Sequence, residues 1–217
     1  MSKVCIIIPN YNGRDHLRLC CESILRQSFK DFNVTIVDNA SSDDSLEFLS
    51  VNYPKFRVIR NSKNVGFAAA VNAGIKATSS EFIALLNNDT ELDSQWLKHL
   101  VNSLEMDSTA DFAASKMLDF SKRDIIDSAG DGLNVIFNPI ARGTGMRENE
   151  FRNDRKYIFG SCAGAALYRL KLFEIIGYFD EDFFAWFEDA DFNFRAQISG
   201  YKCIYIPSAV CYHKRGN

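Results

Sequence analysis

Four short runs of aliphatic residues in the first half of the chain constrain its fold more than any other feature. The runs span residues 4–8, 32–37, 56–60 and 82–86. The first and last are apolar throughout, as expected for strands buried on both faces of a sheet. Segments with helical spacing of apolar residues follow each run, at 15–27, 42–50, 67–77 and 94–104. This β-α-β-α order predicts an α/β fold in which helices flank a mainly parallel central sheet on both faces.

The second half of the chain, from residue 107 onwards, has no such rhythm. Residues 111–160 mix short strand-like stretches with glycine turns, and the polar stretch Arg147–Lys156 is predicted to be a mobile loop. The remaining predicted elements are two helices and a last strand, at 171–176, 188–199 and 202–206. Because the sequence has no internal repeat or low-complexity stretch, we predict a single Rossmann-like domain over residues 1–217, with an irregular second half.

Composition excludes several classes of function. The 25 basic and 28 acidic residues give a net charge of −3, so there is no basic stripe to bind a nucleic acid. No apolar run approaches the roughly 18 residues that cross a bilayer. The six cysteines include no C-x-x-C pair and are expected to be free thiols rather than disulfides or a zinc site. Glycosylation sequons at Asn39 and Asn88 coincide with the candidate site below, so we expect a soluble, cytoplasmic protein.

Polar segments follow all four aliphatic runs, at the point where each predicted strand ends. They are Pro9–Gly13, Asp38–Asp43, Asn61–Phe67 and Asn87–Thr90. In open α/β sheets, ligands bind beyond the carboxyl ends of the strands. Any one such segment is what turns and helix N-termini use. Four in succession indicate one hydrogen-bonding rim.

Three side chains of this rim suggest specific chemistry. Asp38 is placed to accept a hydrogen bond from the imide N–H of a uracil or thymine ring, and Tyr11 offers an aromatic face to a base. Asp89 offers a carboxylate to Mg²⁺ or Mn²⁺, which favour oxygen ligands and bridge to phosphates. Neither G-x-G-x-x-G nor G-x-x-x-x-G-K-[ST] occurs, so phosphate charge would need a metal rather than a glycine loop.

A second acidic cluster, Glu188, Asp189 and Asp191, begins a predicted helix amid aromatic residues. The helix dipole favours acids there, and Asp191 with Arg195 is an i,i+4 ion pair, which is the structural interpretation. The functional interpretation is that aromatic burial raises the pKa of a carboxyl while the helix terminus lowers it, which poises a general base near neutral pH. His213 is placed after the last strand, which Pro207 is expected to end, on a loop able to fold back.

Together these segments resemble the family 2 glycosyltransferases of GT-A fold, particularly their rhamnosyltransferase-like branch. The matching segments, which span nearly the whole chain, are Ile8–Gly13, Val37–Asp43, Asn64–Phe67, Leu86–Thr90, Phe179–Phe184, Phe187–Asp191 and His213–Gly216. The resemblance implies a nucleoside-diphosphate sugar as donor, a divalent metal ion and inversion at the anomeric carbon. It also implies that residues 1–106 bind the nucleotide sugar, whereas residues 107–217 bind the acceptor and carry the catalytic base.

The resemblance also implies roles for individual residues. Asp89 corresponds to the metal-binding aspartate of the family's D-x-D motif, whose first position here is Asn87, and His213 to a further ligand of the metal or the diphosphate. The residues implied in binding the nucleotide sugar are Pro9, Tyr11, Asn12, Asp38, Asn39, Asn64, Gly66, Asn72, Asn87 and Asn88.

On the acceptor side, Asp189 is implied as the catalytic base, with Glu188 and Asp191 positioning the acceptor or the base. The Arg147–Lys156 stretch is expected to order over the donor and exclude water. The implied donor is dTDP-rhamnose or a UDP-sugar, and the implied acceptor a glycan or lipid-linked glycan, with peripheral association at the inner face of the membrane. Two alternatives stay open: a catalytically silent sugar-nucleotide-binding domain, and a nucleotidyltransferase on a related sheet.

Overall fold

The computed structural model describes residues 2–153 and 156–214 and confirms the α/β fold class. The strands are β1 Val4–Asn10, β2 Phe32–Asp38, β3 Arg57–Arg60, β4 Phe82–Leu86, β5 Thr90–Leu92, β6 Phe112–Asp119, β7 Ile126–Ser128, β8 Asp131–Leu133, β9 Pro139–Ala141, β10 Tyr157–Ile158, β11 Ala165–Arg169 and β12 Cys203–His213. The α-helices are α1 Arg14–Leu25, α2 Ser45–Asn52, α3 Gly66–Lys76, α4 Trp96–Met106, α5 Leu170–Ile176 and α6 Glu188–Ile198, with one 3-10 turn at Glu181–Phe183.

One mixed sheet runs through both halves of the chain. Its main path has the order β10-β12-β6-β11-β4-β1-β2-β3; β5 pairs with β12 and β7 with β6, while β8 and β9 form a separate hairpin. The strands β1 to β4 are parallel, as the aliphatic runs predict. β11 lies antiparallel between β4 and β6 and so joins the two halves edge to edge.

The core lies on both faces of this sheet. Ile6 and Ile8 of β1 face the side covered by α1 and α4, where Trp96 is fully buried. Ile7 faces the opposite side, which α3, α5 and α6 cover. An aromatic cluster is buried there, formed by Phe112, Tyr168, Phe173, Phe179 and Phe192. Successive side chains of a strand point to opposite faces, so a strand buried on both sides must be apolar throughout. This explains why the first aliphatic run has no polar interruption.

The prediction that Pro207 ends the last strand is wrong. β12 continues to His213, and its parallel register with β6 shifts between Ile206 and Val210. Pro207 lies in this irregular stretch and is exposed, where its missing N–H costs no ladder hydrogen bond. His213 is therefore the last residue of a sheet strand, paired with Thr90 and Asp119, rather than a residue on a free loop.

Three smaller expectations concern the cysteines, the membrane and the predicted mobile loop. All six cysteines are free thiols, as predicted. Over the part of the chain that the structure describes, we find no helix long and apolar enough to span a bilayer. Residues 154 and 155 of the predicted loop lie outside the described residues; before them, Arg147 pairs with Asp124 at 2.5 Å and Glu148 pairs with Lys116.

Candidate active site

Two adjoining cavities open at the carboxyl ends of the parallel strands, where the sequence places its polar rim. We call the first the asparagine cavity; its volume is about 510 Å³ and its lining is Pro9, Asn10, Tyr11, Asn39, Asn64, Gly66, Phe67, Asn87, Asn88, Asp89, Phe184, Ala185 and Trp186. We call the second the carboxylate cavity; its volume is about 570 Å³ and its lining is Phe67, Asn87, Asp89, Asp127, Ser128, Asp131, Ala141, Cys162, Gly164, Ala185, Trp186, Phe187, Glu188, Asp189 and His213. The two cavities share Asn87, Asp89 and Trp186 among other residues, so they form one continuous cleft.

A buried amide network shapes the asparagine cavity. Asn10, at the end of β1, accepts a hydrogen bond from Asn88 Nδ2 at 2.8 Å and donates to Asp38 Oδ1 and Ser41 Oγ, both at 3.2 Å. A side chain on Gly13 would overlap the Asn10 and Asn88 amides, so this glycine allows them to meet. Asn10, which the sequence analysis did not assign, thus links the ends of three strands.

Seven of the ten residues implied in nucleotide-sugar binding line the asparagine cavity, and three do not. Asp38 is buried behind Asn10, and its Oδ2 accepts a hydrogen bond from the Ser41 N–H at 3.1 Å. Asn12, at a φ of 49°, turns its Oδ1 to the Ser42 N–H at 2.8 Å. Both side chains therefore hold the loops after β1 and β2 together, Asp38 from behind the cavity wall and Asn12 from an exposed position outside it.

Asn72 is the third residue that does not line the cavity. It is fully buried on α3, where its amide donates to the Phe179 carbonyl at 2.8 Å and to Glu181 Oε1 at 3.0 Å, and accepts from the Phe179 N–H at 3.1 Å. Through these contacts Asn72 connects α3 to residues 179–181, which precede the exposed aromatic residues at 183–187.

Gly66 is the first residue of α3, and Phe184 of the aromatic segment 183–187 contacts the helix there. Its φ is +86°, and a Cβ there would lie 2.5 Å from the Phe184 carbonyl oxygen. That oxygen accepts a hydrogen bond from the Ala68 N–H at 3.2 Å, while Asn64 Oδ1 accepts from the Gly66 N–H at 3.0 Å. Only glycine combines this backbone conformation with so close an approach. The aromatic segment 183–187, which borders both cavities, is thus attached to α3 through its backbone.

His213 lies between two carboxylates at the junction of the cavities. Its Nδ1 is 2.8 Å from Asp127 Oδ2, and its Nε2 is 3.3 Å from Asp89 Oδ1. Burial lowers the pKa of His213, but the hydrogen bonds and charges of Asp127 and Asp89 outweigh it and raise the pKa to about 9. Near neutral pH the imidazole is therefore protonated in the absence of a ligand.

The acids of the carboxylate cavity are poorly solvated. Asp189 Oδ2 accepts a hydrogen bond from the Ala163 N–H at 3.2 Å, and its Oδ1 accepts from the Ala190 N–H at 2.8 Å. Burial, opposed by these backbone bonds, raises the pKa of Asp189. Burial and the neighbouring Asp189 charge raise the pKa of Glu188 to about 7, and its Oε2 is buried without a hydrogen-bond partner among the described residues. A carboxyl that keeps its proton toward neutral pH suits acid–base chemistry.

Asp191 is not brought to the cleft. Its Oδ2 accepts from Arg195 Nε at 2.8 Å, and the same guanidinium donates to the carbonyls of Ile176 and Tyr178, both at 2.8 Å. The structure therefore places Asp191 in the ion pair that anchors the end of α5 to α6, as the structural interpretation predicts.

An exposed aromatic rim borders both cavities. Phe184, Trp186 and Phe187 have φ values of 56°, 68° and 68°, in the left-handed region that side chains rarely adopt. Trp186 is 82% exposed and contributes to the walls of both cavities. Backbone strain of this kind is concentrated at functional sites, where the surrounding structure enforces it.

The residues of the cleft that sequence analysis missed lie mainly on short elements. Asp127 and Asp131 belong to three-residue strands on either side of residues 129–130, and the only local signal is that Asp131 lies between two glycines. Of the stretch expected to close over the donor, none of the described residues 147–153 lines either cavity. Its closing over a ligand stays a prediction.

Comparison with known proteins supports the assignment that the sequence suggested. The model of the family described as glycosyl transferase family 2 matches residues 5–177, which is well over half of the chain. The chain belongs to this family. It is also similar to the glycosyltransferase GlyA of Streptococcus pneumoniae serotype 4, with 23% identity over 213 residues that cover 94% of this chain but 29% of GlyA. The chain therefore spans under a third of that relative's length.

Solved structures confirm the GT-A fold. A crystal structure of GalNAc-T7 with UDP, GalNAc and Mn²⁺ superposes with a TM-score of 0.80 at 16% identity, over 99% of this chain and 44% of that one. The mannosyltransferase PcManGT from Pyrobaculum calidifontis, solved with GDP-Man and Mn²⁺, superposes with a TM-score of 0.73 at 17% identity, over 100% of this chain and 58% of that one. At such identities the likeness concerns the fold.

Proposed function

We propose that this domain transfers a sugar from a nucleoside-diphosphate donor to an acceptor hydroxyl, with inversion at the anomeric carbon. The observation that carries the proposal is the continuity of the two cavities through Asn87, Asp89 and Trp186. A donor that spans this junction has its nucleotide among neutral amides and its anomeric carbon on the side of Asp189. Membership in glycosyl transferase family 2, and the similarity to the glycosyltransferase GlyA, support the same reaction.

The asparagine cavity fits the nucleotide of the donor. Tyr11 is 51% exposed and lines the cavity, so its ring can offer a face to the base, while the amides of Asn39, Asn64 and Asn88 offer both donors and acceptors. Asp38 fixes Asn10 from behind. Because Asp38 is buried and does not line the cavity, the preference for dTDP-rhamnose or a UDP-sugar as donor rests on the sequence resemblance.

The junction of the cavities fits a divalent metal ion. Asp89 and His213 supply a carboxylate and an imidazole nitrogen 3.3 Å apart. In the part of the chain that the structure describes, no three His, Cys, Asp or Glu side chains surround a common metal position, so the other ligands would be diphosphate oxygens and water. Mg²⁺ or Mn²⁺ bound there would neutralise the charge of the departing nucleoside diphosphate. The Mn²⁺ in the GalNAc-T7 and PcManGT structures supports this choice.

Asp189 is the proposed general base. The acceptor O–H bond breaks as its oxygen bonds to the anomeric carbon, the proton passes to Asp189, and the bond from that carbon to the diphosphate oxygen breaks. The leaving group departs as an anion, so a single base suffices and no protonated acid is needed. The Ala163 N–H orients the Asp189 carboxylate toward the cleft, and partial burial makes it more basic than a solvated aspartate.

The aromatic rim favours a carbohydrate as acceptor, because Trp186 and Phe187 offer flat apolar faces to the C–H face of a sugar ring. We propose a glycan or lipid-linked glycan of the cell surface. Transfer to a lipid-linked acceptor would place the domain in the cytoplasm, peripherally at the inner face of the membrane.

Thermal unfolding with nucleoside diphosphates tests the donor class. We expect UDP or dTDP, together with Mn²⁺ or Mg²⁺, to raise the melting temperature, and GDP and CDP to raise it less. At about 100 times the dissociation constant, a ligand adds roughly 2.7 kcal/mol, or about 5–10 °C for a domain of this size. The absence of a shift with all four nucleotides would refute the nucleotide site.

Asp189→Asn tests the base and separates an enzyme from a silent binding domain. We expect this variant to bind the nucleotide as the native chain does and to lose at least 10²-fold in transfer rate. Asp44→Asn, which changes an exposed carboxylate outside both cavities, is the control and should keep full activity. Nucleotide binding without turnover in the native chain would favour the silent domain.

A further inference from the structure

Asp131 is a buried acid of the cleft to which the sequence gives no role. It is the first residue of β8 and only 8% exposed. It lines the carboxylate cavity and also a smaller neighbouring cavity, whose lining is Asp131, Pro139, Ile140, Ala141, Trp186, Phe187, Asp189 and Ala190. Among the described residues, Asp131 and Asp189 are the only acids that line both cavities. They therefore line the passage that leads from the carboxylate cavity into the smaller cavity, toward the aromatic rim.

The backbone and α6 together hold Asp131 in place. Its N–H donates to the Gly160 carbonyl at 2.8 Å, and its carbonyl accepts from the Gly160 N–H at 3.3 Å. Its Oδ2 accepts from Asn193 Nδ2 at 3.1 Å, and fully buried Asn193 also bonds to both backbone groups of Ser161. Because Asn193 lies one helical turn after Asp189 on α6, it fixes the two acids relative to each other.

The remaining oxygen of Asp131 is not used by the fold. Within the described residues, Oδ1 makes no hydrogen bond to the protein, and it is accessible from the cavity rather than enclosed. A carboxyl oxygen that opens onto a cleft without a protein partner can bond to a ligand at no loss to the fold. In a cleft that must admit an acceptor, a hydroxyl of that acceptor is a suitable partner.

Two acids on one passage do not ionise independently. Burial, together with the charge of Asp189, raises the pKa of Asp131, against the lowering effect of the Asn193 hydrogen bond. The pair therefore holds a shared proton to a higher pH than two solvated aspartates would. A protonated carboxyl donates a hydrogen bond, whereas an ionised one only accepts. The other titratable or charged groups near the pair are Asp89, Asp127, Arg142, Cys162, Tyr168, Glu188, Cys203 and His213.

We propose that Asp131 binds the acceptor sugar, donating a hydrogen bond to the hydroxyl next to the one that Asp189 deprotonates. The acceptor then lies in the passage between the two acids, with its ring against Trp186. This inference rests on the proposed transfer reaction and names the vicinal hydroxyls of a sugar as the group recognised. In the reaction Asp131 keeps its proton, and the proton of the attacking hydroxyl goes to Asp189.

Asp131→Asn and Asp131→Ala test this assignment. The assay follows release of the nucleoside diphosphate from dTDP-rhamnose or a UDP-sugar. The acceptor is either water alone or a p-nitrophenyl glycoside of rhamnose, glucose, galactose or N-acetylglucosamine. We expect Asp131→Ala to raise the KM for the glycoside at least tenfold, while the donor KM stays within twofold and release with water alone within threefold. Asp131→Asn keeps an N–H donor and accepts from Asn193, so its glycoside KM should rise less.

The pH profile separates binding from a structural role. In the native chain, glycoside transfer should fall at alkaline pH as Asp131 loses its proton, and Asp131→Asn should lack that part of the fall because its amide donates at every pH. An unchanged glycoside KM in Asp131→Ala, or an equal loss with water and with glycoside, would overturn the assignment. If the native chain binds no nucleotide and releases none, the proposed function itself fails, whatever the Asp131 variants do.

Discussion

Replacing Gly66 by alanine is a quantitative test of how the two halves of the domain fit together. The new Cβ would lie 2.5 Å from the Phe184 carbonyl oxygen and 2.7 Å from its ring carbon Cδ2. A left-handed φ costs a residue with a Cβ about 1–2 kcal/mol. Displacing Phe184 strains the packing by about 1–3 kcal/mol, and its hydrogen bond from Ala68 is worth about 1 kcal/mol more. We therefore expect Gly66→Ala to lose roughly 3–6 kcal/mol of stability.

Gly200→Ala is the matched control. Gly200 has a φ of +83°, almost that of Gly66 at +86°, but a Cβ there meets nothing within 4 Å. Its replacement should therefore cost only the backbone part, about 1–2 kcal/mol. The difference between the two variants measures the contact of Gly66 with the aromatic segment.

Urea unfolding followed by circular dichroism measures both losses. With a slope of about 2–3 kcal/mol per M, Gly66→Ala should shift the midpoint by more than 1 M and Gly200→Ala by about half that or less. If both variants lose the same stability, the close approach of Phe184 to α3 contributes nothing, and the reasoning is refuted.

Three further predictions concern two side chains of the cleft, Glu188 and Trp186, and the buried Asn72 of α3. Since the pKa of Glu188 is about 7 in the folded chain against 4.5 ordinarily, the unfolded state ionises first as the pH rises, and stability falls between these values. Urea unfolding should find Glu188→Gln up to about 3 kcal/mol more stable than the native chain at pH 8, with no such gain below pH 4.5. Asn72→Ala should lose about 2–4 kcal/mol by leaving both backbone groups of Phe179 unpaired; weaker nucleotide binding at unchanged stability would contradict its structural placement. Trp186→Gly relieves a left-handed φ at an exposed position, so its melting temperature should not fall, while transfer to glycosides weakens; a loss of several degrees would contradict this.

The first half of the fold could be predicted from sequence because burial on both faces leaves little choice of residue. The predicted strand 4–8 is observed as Val4–Asn10, and the predicted strand 82–86 has its predicted bounds. The same rule placed the polar rim, since the residue after a parallel strand must lie at the ligand-binding edge. Seven of ten implied residues line the asparagine cavity for this reason.

The second half could not be predicted in the same way. Asp127 and Asp131 lie on three-residue strands whose positions depend on pairing with distant segments, so no local periodicity marks them. Side-chain direction was equally hidden: the sequence does not show that Asp191 turns to Arg195 while Asp189 turns into the cleft. Pro207 was expected to end the last strand. Instead the strand continues through an irregular stretch at Pro207, so His213 lies in the sheet.

The contact between Gly66 and Phe184 has a consequence for how such domains can be recombined. Exchanging residues 107–217 with those of a related protein would bring a new aromatic segment onto an old α3, and would also replace β11, which pairs directly with β4. A chimaera joined at residue 107 therefore needs both positions from compatible parents. Positions 66 and 184 should therefore covary across functional hybrids.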